Sequence, residues 1–426
     1  HSSISEPRAM DFRPLIIKHF PFPEFNAGQY EAIEKILIAL TSGVTHVIAE
    51  MPTGIGKSVT IYTVSKVMQE LNSSYRTTII TGTTGLQDQY TQDFPEIYDL
   101  RGKTRYPCSK GVGPYNSVGC RQAVAQGKCF KAMQCDYFMT RTKWCNEAKI
   151  RITNTSFQIE ACPQIVMMPE NKASLIAIDE CHELPNHLIS HSTLKIVAGD
   201  LFHTKRIMGE AFVGHVIDVI DSYINIPVGS AFKPSKEQRK TMSELKTIVD
   251  AAIDSLEPQM KDPKAGNKSS VGGAVEELQQ VGDKIDLYVS LETGEWILTE
   301  FEINKKIELK PVYAFQVSNH GIFRKAKQFV HMSATICGFE EYRKSLGITD
   351  SYVEISIGNP IPVENRPVKL VSNVQVSGNF DRAKVAATID KIIERHGNEN
   401  GVVHTVSFKL AEEIRQHSKY KSRMTI

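Results

Sequence analysis

The chain has 426 residues, a hydrophobic fraction of 41%, a charged fraction of 23% and a formal net charge of +2. This length predicts about two to four domains, and the composition is that of a soluble globular protein. No apolar run approaches the ~18 to 20 residues that span a bilayer, and no apolar signal segment opens the chain, so we expect no membrane partner.

The first part of the chain alternates between helical and extended patterns. Apolar residues between Gln29 and Leu40 recur at helical spacing. The periodicity then predicts strands at residues 44–50 and 77–82, and helices at residues 57–71 and 86–93. This rhythm of strand, loop and helix predicts a parallel, doubly wound α/β sheet.

Residues 95–150 break this rhythm and are rich in glycine, cysteine and aromatic residues. Residues 101–151 contain eleven Lys/Arg and two acidic residues. Such a basic field favours binding to phosphate backbones, with a solvated basic face as the alternative. The candidate phosphate contacts are Arg105, Lys110, Arg121 and Arg141.

The rest of the chain returns to the sheet pattern after a helical interruption. Residues 175–178 form a buried strand, and residues 188–287 are mostly helical. We expect strands at 296–301 and 329–332 to rejoin the sheet. A proline-rich connector follows residue 358, and then we expect strands at 368–371 and 401–405, a helix at 382–396 and another helix from Phe408.

A phosphate-binding loop is predicted at residues 51–58, between a strand and a helix. Gly54 and Gly56 let the backbone N–H groups curl toward a phosphate, and the helix N-terminus adds its dipole. Lys57 places a charge on the β- and γ-phosphates, while Ser58 offers its hydroxyl to Mg²⁺. With Thr53 these residues form the candidate ATP site, although Met51 stands where the general pattern has glycine.

An acidic motif, residues 179–182, follows the strand at 175–178. Paired carboxylates at the end of a parallel strand suit Mg²⁺ binding and water activation. We assign Asp179 to Mg²⁺, Glu180 to polarising the attacking water and His182 to relaying between the nucleotide and other motifs. An acidic loop without function is the alternative.

Two weaker signals flank these motifs. Residues 331–335 read His-Met-Ser-Ala-Thr after a strand and fit, in this order, the helicase motif that couples hydrolysis to strand movement. Gln29 lies upstream of the phosphate loop, where helicases carry a glutamine that reads the adenine edge. A solvent-facing helical glutamine is the alternative.

Four cysteines, Cys108, Cys120, Cys129 and Cys135, lie between the two nucleotide motifs. Clustered cysteines without a secretory signal favour a metal or iron–sulfur site over disulfides. Since no C-x-x-C pair is present, a zinc ribbon is less favoured, whereas iron–sulfur clusters tolerate irregular spacing. Unliganded buried cysteines are the alternative.

With these motifs the chain resembles the XPD/DinG-type iron–sulfur DNA helicases of superfamily 2, of the prokaryotic or phage DinG-like kind. The resemblance runs from about Phe12 to Phe408. It is carried by the segments at residues 50–58, 81–89, 101–108, 135–141 and 153–157.

The resemblance implies an ATP-driven translocase that moves 5′ to 3′ on single-stranded DNA and unwinds duplexes. It implies a [4Fe–4S] cluster held by the four cysteines, with Cys145 as a spare. Thr83 and Gln87 then fall in the strand-contacting motif after the second strand. The interruption after residue 182 falls where the family has its arch domain.

The expected architecture is therefore a RecA-like α/β motor lobe with two insertions and the start of a second RecA-like lobe. The lobe comprises residues 11–94, 151–190 and 293–357, the iron–sulfur insertion 95–150 and the arch-like insertion 191–292. Residues 358–426 begin the second lobe, and no Q-x-x-G-R-like segment follows, so we expect a fragment.

We expect a monomeric DNA helicase that acts on single-stranded DNA and single-strand/duplex junctions. The sequence favours the cytoplasm of a prokaryote or of a phage-infected cell over a nucleus. Two alternatives stay open. One is an ATP-binding module that binds nucleic acid without unwinding it, and the other is a remodeller of RNA or RNA–DNA hybrids, because the motor motifs do not distinguish the sugars.

Overall fold

The computed structural model describes residues 10–102, 105–106, 135–161, 171–261, 268–291, 294–349, 351–370, 378 and 380–426. The chain divides into two compact units, His1–Pro360 and Ile361–Ile426. Among the residues described, no helix combines the length and the apolar character needed to cross a membrane.

The strands within the described ranges are β1 (His46–Glu50), β2 (Thr77–Thr81), β3 (Tyr98–Leu100), β4 (Ile150–Asn154), β5 (Ala173–Asp179), β6 (Leu194–Val197), β7 (Ala231–Phe232), β8 (Trp296–Glu302), β9 (Lys306–Pro311), β10 (Ala326–Ser333) and β11 (Tyr352–Ser356).

The α-helices within the same ranges are α1 (Arg13–His19), α2 (Gln29–Thr41), α3 (Lys57–Leu71), α4 (Thr84–Asp93), α5 (Asp136–Asn146), α6 (Leu184–His191), α7 (Phe202–Met208), α8 (Glu210–Asp221), α9 (Lys236–Lys261), α10 (Lys268–Ser290), α11 (Phe315–Gly321), α12 (Phe339–Leu346), α13 (Arg382–His396) and α14 (Phe408–His417).

A seven-stranded sheet forms the centre of the first unit, in the order β11-β1-β10-β5-β2-β4-β3. Every pairing in it is parallel. Parallel sheets are buried on both faces, and the central strands accordingly carry runs of buried residues, such as Leu175 to Ile178 in β5. The predicted α/β fold class is confirmed, with a parallel sheet and intervening helices.

Helices cover both faces of this sheet and form two apolar cores. One core joins α2, α3 and one face of β1, and includes Ile33, Leu37 and Val64. The other lies on the opposite face and includes Ile178 and Phe329. The two cores hold the strands in register, and this register fixes where each strand ends.

The interruption between β5 and β10 has its own core and its own sheet. Helices α8, α9 and α10 pack around Tyr223, Leu245 and Trp296. Strands β6, β9, β8 and β7 form an antiparallel sheet in that order. The region is therefore helical, as expected, but a small sheet accompanies its helices.

The predicted return of residues 296–301 to the parallel sheet is wrong. Strand β8 pairs with β9 across a tight turn in which Asn304 has a positive φ of 58°. Trp296 and Leu298 are buried on one face, and Ile307 and Leu309 continue that face from β9. This alternation is typical of a half-exposed antiparallel hairpin, whereas a strand of the parallel sheet would be apolar on both faces.

In the second unit the helices form where the sequence predicts them, but the strands do not. Helix α13 begins after Asp381, whose side chain accepts hydrogen bonds from the N–H groups of Ala383 and Lys384. Residues 401–405 and the described residues 368–370 are irregular, and Val402 and Leu370 are 79% and 93% exposed. A strand needs a neighbour for its N–H and C=O groups, and the described residues of this unit supply none.

Candidate nucleotide-binding site

Three adjacent strands of the parallel sheet end at one edge and bring the predicted motifs together. β10 lies between β1 and β5, with Glu50 opposite Ser333 and Met332 opposite Asp179. Since all three strands run in the same direction, the segments that follow them meet at the carboxyl edge of the sheet. In open α/β sheets this edge is where ligands bind.

The loop after β1 has the backbone conformation that phosphate binding requires. Gly54 and Gly56 have φ values of 92° and 85°, in the left-handed region that favours glycine. A side chain at position 56 would be strained by this positive φ, and its Cβ would lie 2.6 Å from the Gln29 amide nitrogen and displace it. Lys57 is the first residue of α3, and the free N–H groups of that helix face the loop.

Two amide side chains brace this loop from the segment that leads into α2. The Asn26 amide nitrogen donates to the carbonyls of Gly54 at 3.1 Å and Ile55 at 3.3 Å. The Gln29 amide nitrogen donates to the Gly56 carbonyl at 3.2 Å, and its oxygen accepts from the Asn26 N–H at 3.0 Å. Gln29 is 2% exposed, so it is not a solvent-facing residue.

Asn26 was not singled out by sequence reasoning, although it belongs to the same brace as Gln29. The available signal is its position three residues before Gln29, in the turn ahead of a helix. In the structure the Gln29 amide bonds the phosphate loop. The adenine contact expected of Gln29 therefore stays a prediction.

Lys57 and the acidic pair face each other across the strand ends. The Lys57 ammonium lies 3.4 Å from a Glu180 carboxylate oxygen. Asp179 is 5% exposed and accepts hydrogen bonds from the Tyr90 hydroxyl and the Glu180 N–H, both at 3.0 Å. Burial raises the pKa of Asp179, and the nearby Lys57 charge opposes this shift. The site is thus a pair of carboxylates held close to one cation.

Glu180 has an unusual backbone conformation for a residue with a side chain. Its φ of 51° and ψ of 49° lie in the left-handed region, at a cost of about 1 to 3 kcal/mol. Strain of this kind persists only where the surroundings fix it. Here it lets the chain turn sharply at the end of β5, so that the Glu180 carboxylate reaches Lys57.

Ser333, at the end of β10, joins the acidic motif from the neighbouring strand. The His182 ring nitrogen Nδ1 lies 2.8 Å from the Ser333 hydroxyl, and this hydroxyl lies 3.4 Å from a Glu180 carboxylate oxygen. The same hydroxyl is 3.0 Å from the Thr335 carbonyl. The structure therefore connects Glu180 and His182 with the predicted coupling motif through a single side chain.

The arrangement fits a magnesium-bound nucleoside triphosphate. A Cβ at Gly54 would meet no atom within 4 Å, so there is space in front of the loop. Thr53 is exposed in the loop, and Ser58 is half-buried at the second position of α3. Ser58 and Asp179 supply the hard oxygen donors that Mg²⁺ prefers, and Lys57 supplies the charge that phosphates need.

The two residues predicted to contact nucleic acid after β2 have different environments. Thr83 is exposed and caps α4, since its hydroxyl accepts the Leu86 N–H. Gln87 is fully buried, and its amide nitrogen donates to a carboxylate oxygen of Asp99 at 2.9 Å. From this position Gln87 ties α4 to β3 and does not face the surface.

Only part of the cysteine-rich region lies within the described residues. Arg105 is exposed, and the Arg141 guanidinium lies over the Phe138 ring at 4.6 Å. Cys135 is buried and directly precedes α5. Cys108, Cys120, Cys129, Lys110 and Arg121 lie outside the described residues. In the part that is described, no three His, Cys, Asp or Glu side chains group around a possible metal position.

Cys145, the cysteine that the sequence resemblance leaves outside the cluster, packs in the core. Cys145 is buried near Trp144 and Phe157, and burial raises the pKa of its thiol. A raised thiol pKa disfavours the thiolate form that binds metals.

The family model described as "Type III restriction enzyme, res subunit" matches residues 23–209. No curated protein matches the chain. Among solved structures, "XPD_Helicase" is 14% identical, with 93% of this chain and 75% of that chain covered and a TM-score of 0.46. "Truncated XPD" is also 14% identical, with 77% and 99% covered and a TM-score of 0.45.

The "DUF1998 helicase MrfA bound to DNA and AMPPNP" is 13% identical, with 97% of this chain and 39% of that chain covered and a TM-score of 0.39. The residues matched by the family model include both the phosphate loop and the acidic motif of this chain.

We predict that Asn26→Ala weakens nucleotide binding about five- to tenfold, because two hydrogen bonds that shape the loop are lost. Isothermal titration with magnesium and a non-hydrolysable ATP analogue measures the change. Asn72→Ala is the matched control, since Asn72 also bonds a backbone group, that of Ser74, but lies at the far end of α3. Equal affinities for the Asn26 and Asn72 variants would contradict the bracing role.

Proposed function

We propose that this chain is the ATP-hydrolysing motor part of a DNA helicase. The observation that carries the proposal is the meeting of the phosphate loop, the Asp179–Glu180 pair and Ser333 at one edge of the parallel sheet. A sheet edge that only stabilised the fold would not need a lysine 3.4 Å from a strained glutamate, next to a buried aspartate.

Each residue has a task that its position supports. The loop N–H groups and Lys57 hold the phosphates, and Ser58 and Asp179 provide oxygen ligands for Mg²⁺. The Tyr90 hydroxyl donates a hydrogen bond to one Asp179 oxygen and so fixes the orientation of the carboxylate. A bound magnesium ion would neutralise charge on the phosphates.

Glu180 orients the attacking water and accepts its proton, since its carboxylate is half-exposed at the front of the site. In the structure one oxygen faces Lys57 and the other faces Ser333. Phosphates that engage Lys57 would therefore free one Glu180 oxygen for water. His182 and Ser333 link this change at Glu180 to strand β10. We propose that ATP hydrolysis is coupled to the rest of the lobe through this link.

We propose single-stranded DNA and single-strand/duplex junctions as partners, 5′–3′ movement and action as a monomer. The basic region of residues 101–151 supports a phosphate backbone as the ligand, and exposed Thr83 and Arg105 are candidate contacts. The direction follows from the sequence resemblance. We place the activity in the cytoplasm of a prokaryote or of a phage-infected cell.

We further propose that Cys108, Cys120, Cys129 and Cys135 hold a [4Fe–4S] cluster. The cysteine spacing and the sequence resemblance support it. Both ends of the cysteine-rich region are also firmly fixed to the lobe. Arg101, before Cys108, bonds Asp88 and Asp99 at 2.6 Å, and Trp144, after Cys135, donates to the Ile152 carbonyl at 3.0 Å. A rigid insertion could then separate strands or grip the incoming one.

We predict that Lys57→Ala lowers the rate of ATP hydrolysis by at least ~100-fold and leaves DNA binding intact, because only the phosphate charge partner is lost. Phosphate release and fluorescence anisotropy with labelled single-stranded DNA measure the two properties. Lys66→Ala is the control, since Lys66 lies on the same helix and pairs with Glu96. Loss of DNA binding in the Lys57 variant alone would point to unfolding of the lobe instead.

Duplexes with a single-stranded tail test the direction and the substrate. We expect unwinding from a 5′ tail and none from a 3′ tail, measured by strand release with ATP. ATP hydrolysis without strand release would favour the ATP-binding module that does not unwind. Stronger stimulation by RNA than by DNA would favour the remodeller of RNA or hybrids.

Iron and acid-labile sulfide per chain test the cluster, on protein purified without oxygen. We expect about four of each, with Cys108→Ser losing most of both because a thiolate ligand is removed. Cys145→Ser is the matched control and should keep its iron, since Cys145 packs in the core. Zinc in place of iron, or no metal at all, would contradict the cluster.

A further inference from the structure

A chain of four buried polar side chains runs beneath the acidic motif. His46 Nδ1 lies 3.1 Å from His331 Nε2, and His331 Nδ1 lies 2.9 Å from the Tyr342 hydroxyl. Burial and the nearby Cys181 thiol raise the pKa of Tyr342, and both residues pack in the same buried core. His331 and Cys181 are fully buried, and His46 and Tyr342 are 8% and 7% exposed.

These four residues connect four separate elements of the lobe. His46 begins β1, His331 lies in β10, Tyr342 lies in α12, and Cys181 lies in the turn directly after Glu180. No step of the nucleotide chemistry described above uses any of them. Polar groups buried in a core are costly unless bonded, so a chain of four in one place needs a physical reason.

The hydrogen bonds of this chain depend on one another because His331 is neutral. Burial lowers the pKa of His331 well below its ordinary value, so one ring nitrogen donates and the other accepts. If one ring nitrogen of His331 donates a hydrogen bond, the other must accept one. The direction of the hydrogen bond on one side of the ring therefore determines the direction of the bond on the other side. Hydrogen bonds linked in this way reinforce one another, and the loss of one weakens its neighbours.

Cys181 is the end of the chain that touches the site. It is flanked by Glu180 and His182, and the Glu183 N–H closes the turn on the Glu180 carbonyl at 3.0 Å. Glu180 is in the left-handed region, a conformation that the surroundings must maintain. Tyr342 packs in the same buried core as Cys181 and so supports the turn from its buried side.

We propose that Tyr342 and His331 are positioning residues for Glu180, acting through the Cys181 thiol. The inference rests on the proposed function, since it concerns the glutamate that orients the attacking water. β10 then controls the acidic motif at two points. Ser333 contacts Glu180 and His182 at the strand end, and His331, two residues earlier, reaches the turn through Tyr342.

Tyr342→Phe tests this positioning role, because it removes one hydroxyl and keeps the ring. We expect kcat for ATP hydrolysis to fall about tenfold with KM changed less than about twofold, since phosphate binding by the loop is untouched. Hydrogen exchange of the backbone amides at residues 180–184 should also become faster, as the turn loosens.

Tyr75→Phe is the matched control for this substitution. Tyr75 is 6% exposed, and its hydroxyl bonds Gln328, which lies on the same strand as His331 but at its far end. Both variants lose one buried tyrosine hydroxyl that bonds a side chain of β10, and the two rings lie in the cores on opposite faces of the sheet. A merely structural role predicts similar effects from both, whereas positioning predicts that only Tyr342→Phe changes kcat and exchange at 180–184.

A double-mutant cycle with Cys181→Ala tests the path. If Tyr342 acts through the thiol, the double variant should have nearly the kcat and exchange of either single variant. Additive losses would overturn the path, and unchanged exchange at 180–184 in Tyr342→Phe would overturn the proposal. Absence of ATP hydrolysis by the unaltered chain would instead overturn the proposed function, and the exchange comparison would still decide the positioning role.

Discussion

Strand β10 hydrogen-bonds β1 on one side and β5 on the other, and the site depends on this placement. The phosphate loop and the acidic motif follow strands that are not neighbours. The end of β10 lies between them, and Ser333 at that end contacts Glu180 and His182. A shift of this one strand would change the distance between the group that holds phosphate and the group that activates water.

Burial and the nearby Lys57 both act on the two carboxylates at this edge of the sheet. Asp179 is buried, which raises its pKa, while Lys57 favours its charged form. Glu180 is held near the same lysine by a strained backbone turn. The fold thus keeps two carboxylates close together, and a cation stabilises them. Such an arrangement is suited to a ligand that brings both negative phosphates and a positive metal ion.

The sequence predicted the elements that carry strong local signals. Helix α3 occupies residues 57–71 and α13 residues 382–396, because a glycine turn or an aspartate cap starts each of them. The prediction that residues 296–301 join the central sheet was wrong. Their alternation of buried and exposed residues belongs to the hairpin of β8 and β9. The prediction of a strand at residues 401–405 was also wrong, since a strand depends on partners that a local pattern does not contain. Gln87, which the resemblance places in a motif that contacts the nucleic-acid strand, is buried by the packing of α4 on β3, and its contact with nucleic acid stays a prediction.

The sequence by itself determined which chemical groups are available and where in the chain they lie. Glycine spacing, a lysine at a helix start and paired carboxylates after an apolar run are local features, and local backbone preferences fix them. Only the tertiary structure decided that β10 separates the two nucleotide motifs, that Asn26 braces the loop and that His46, His331 and Tyr342 form one hydrogen-bonded chain. These contacts join residues up to hundreds of positions apart, and they depend on strand order and helix packing, which no local pattern encodes.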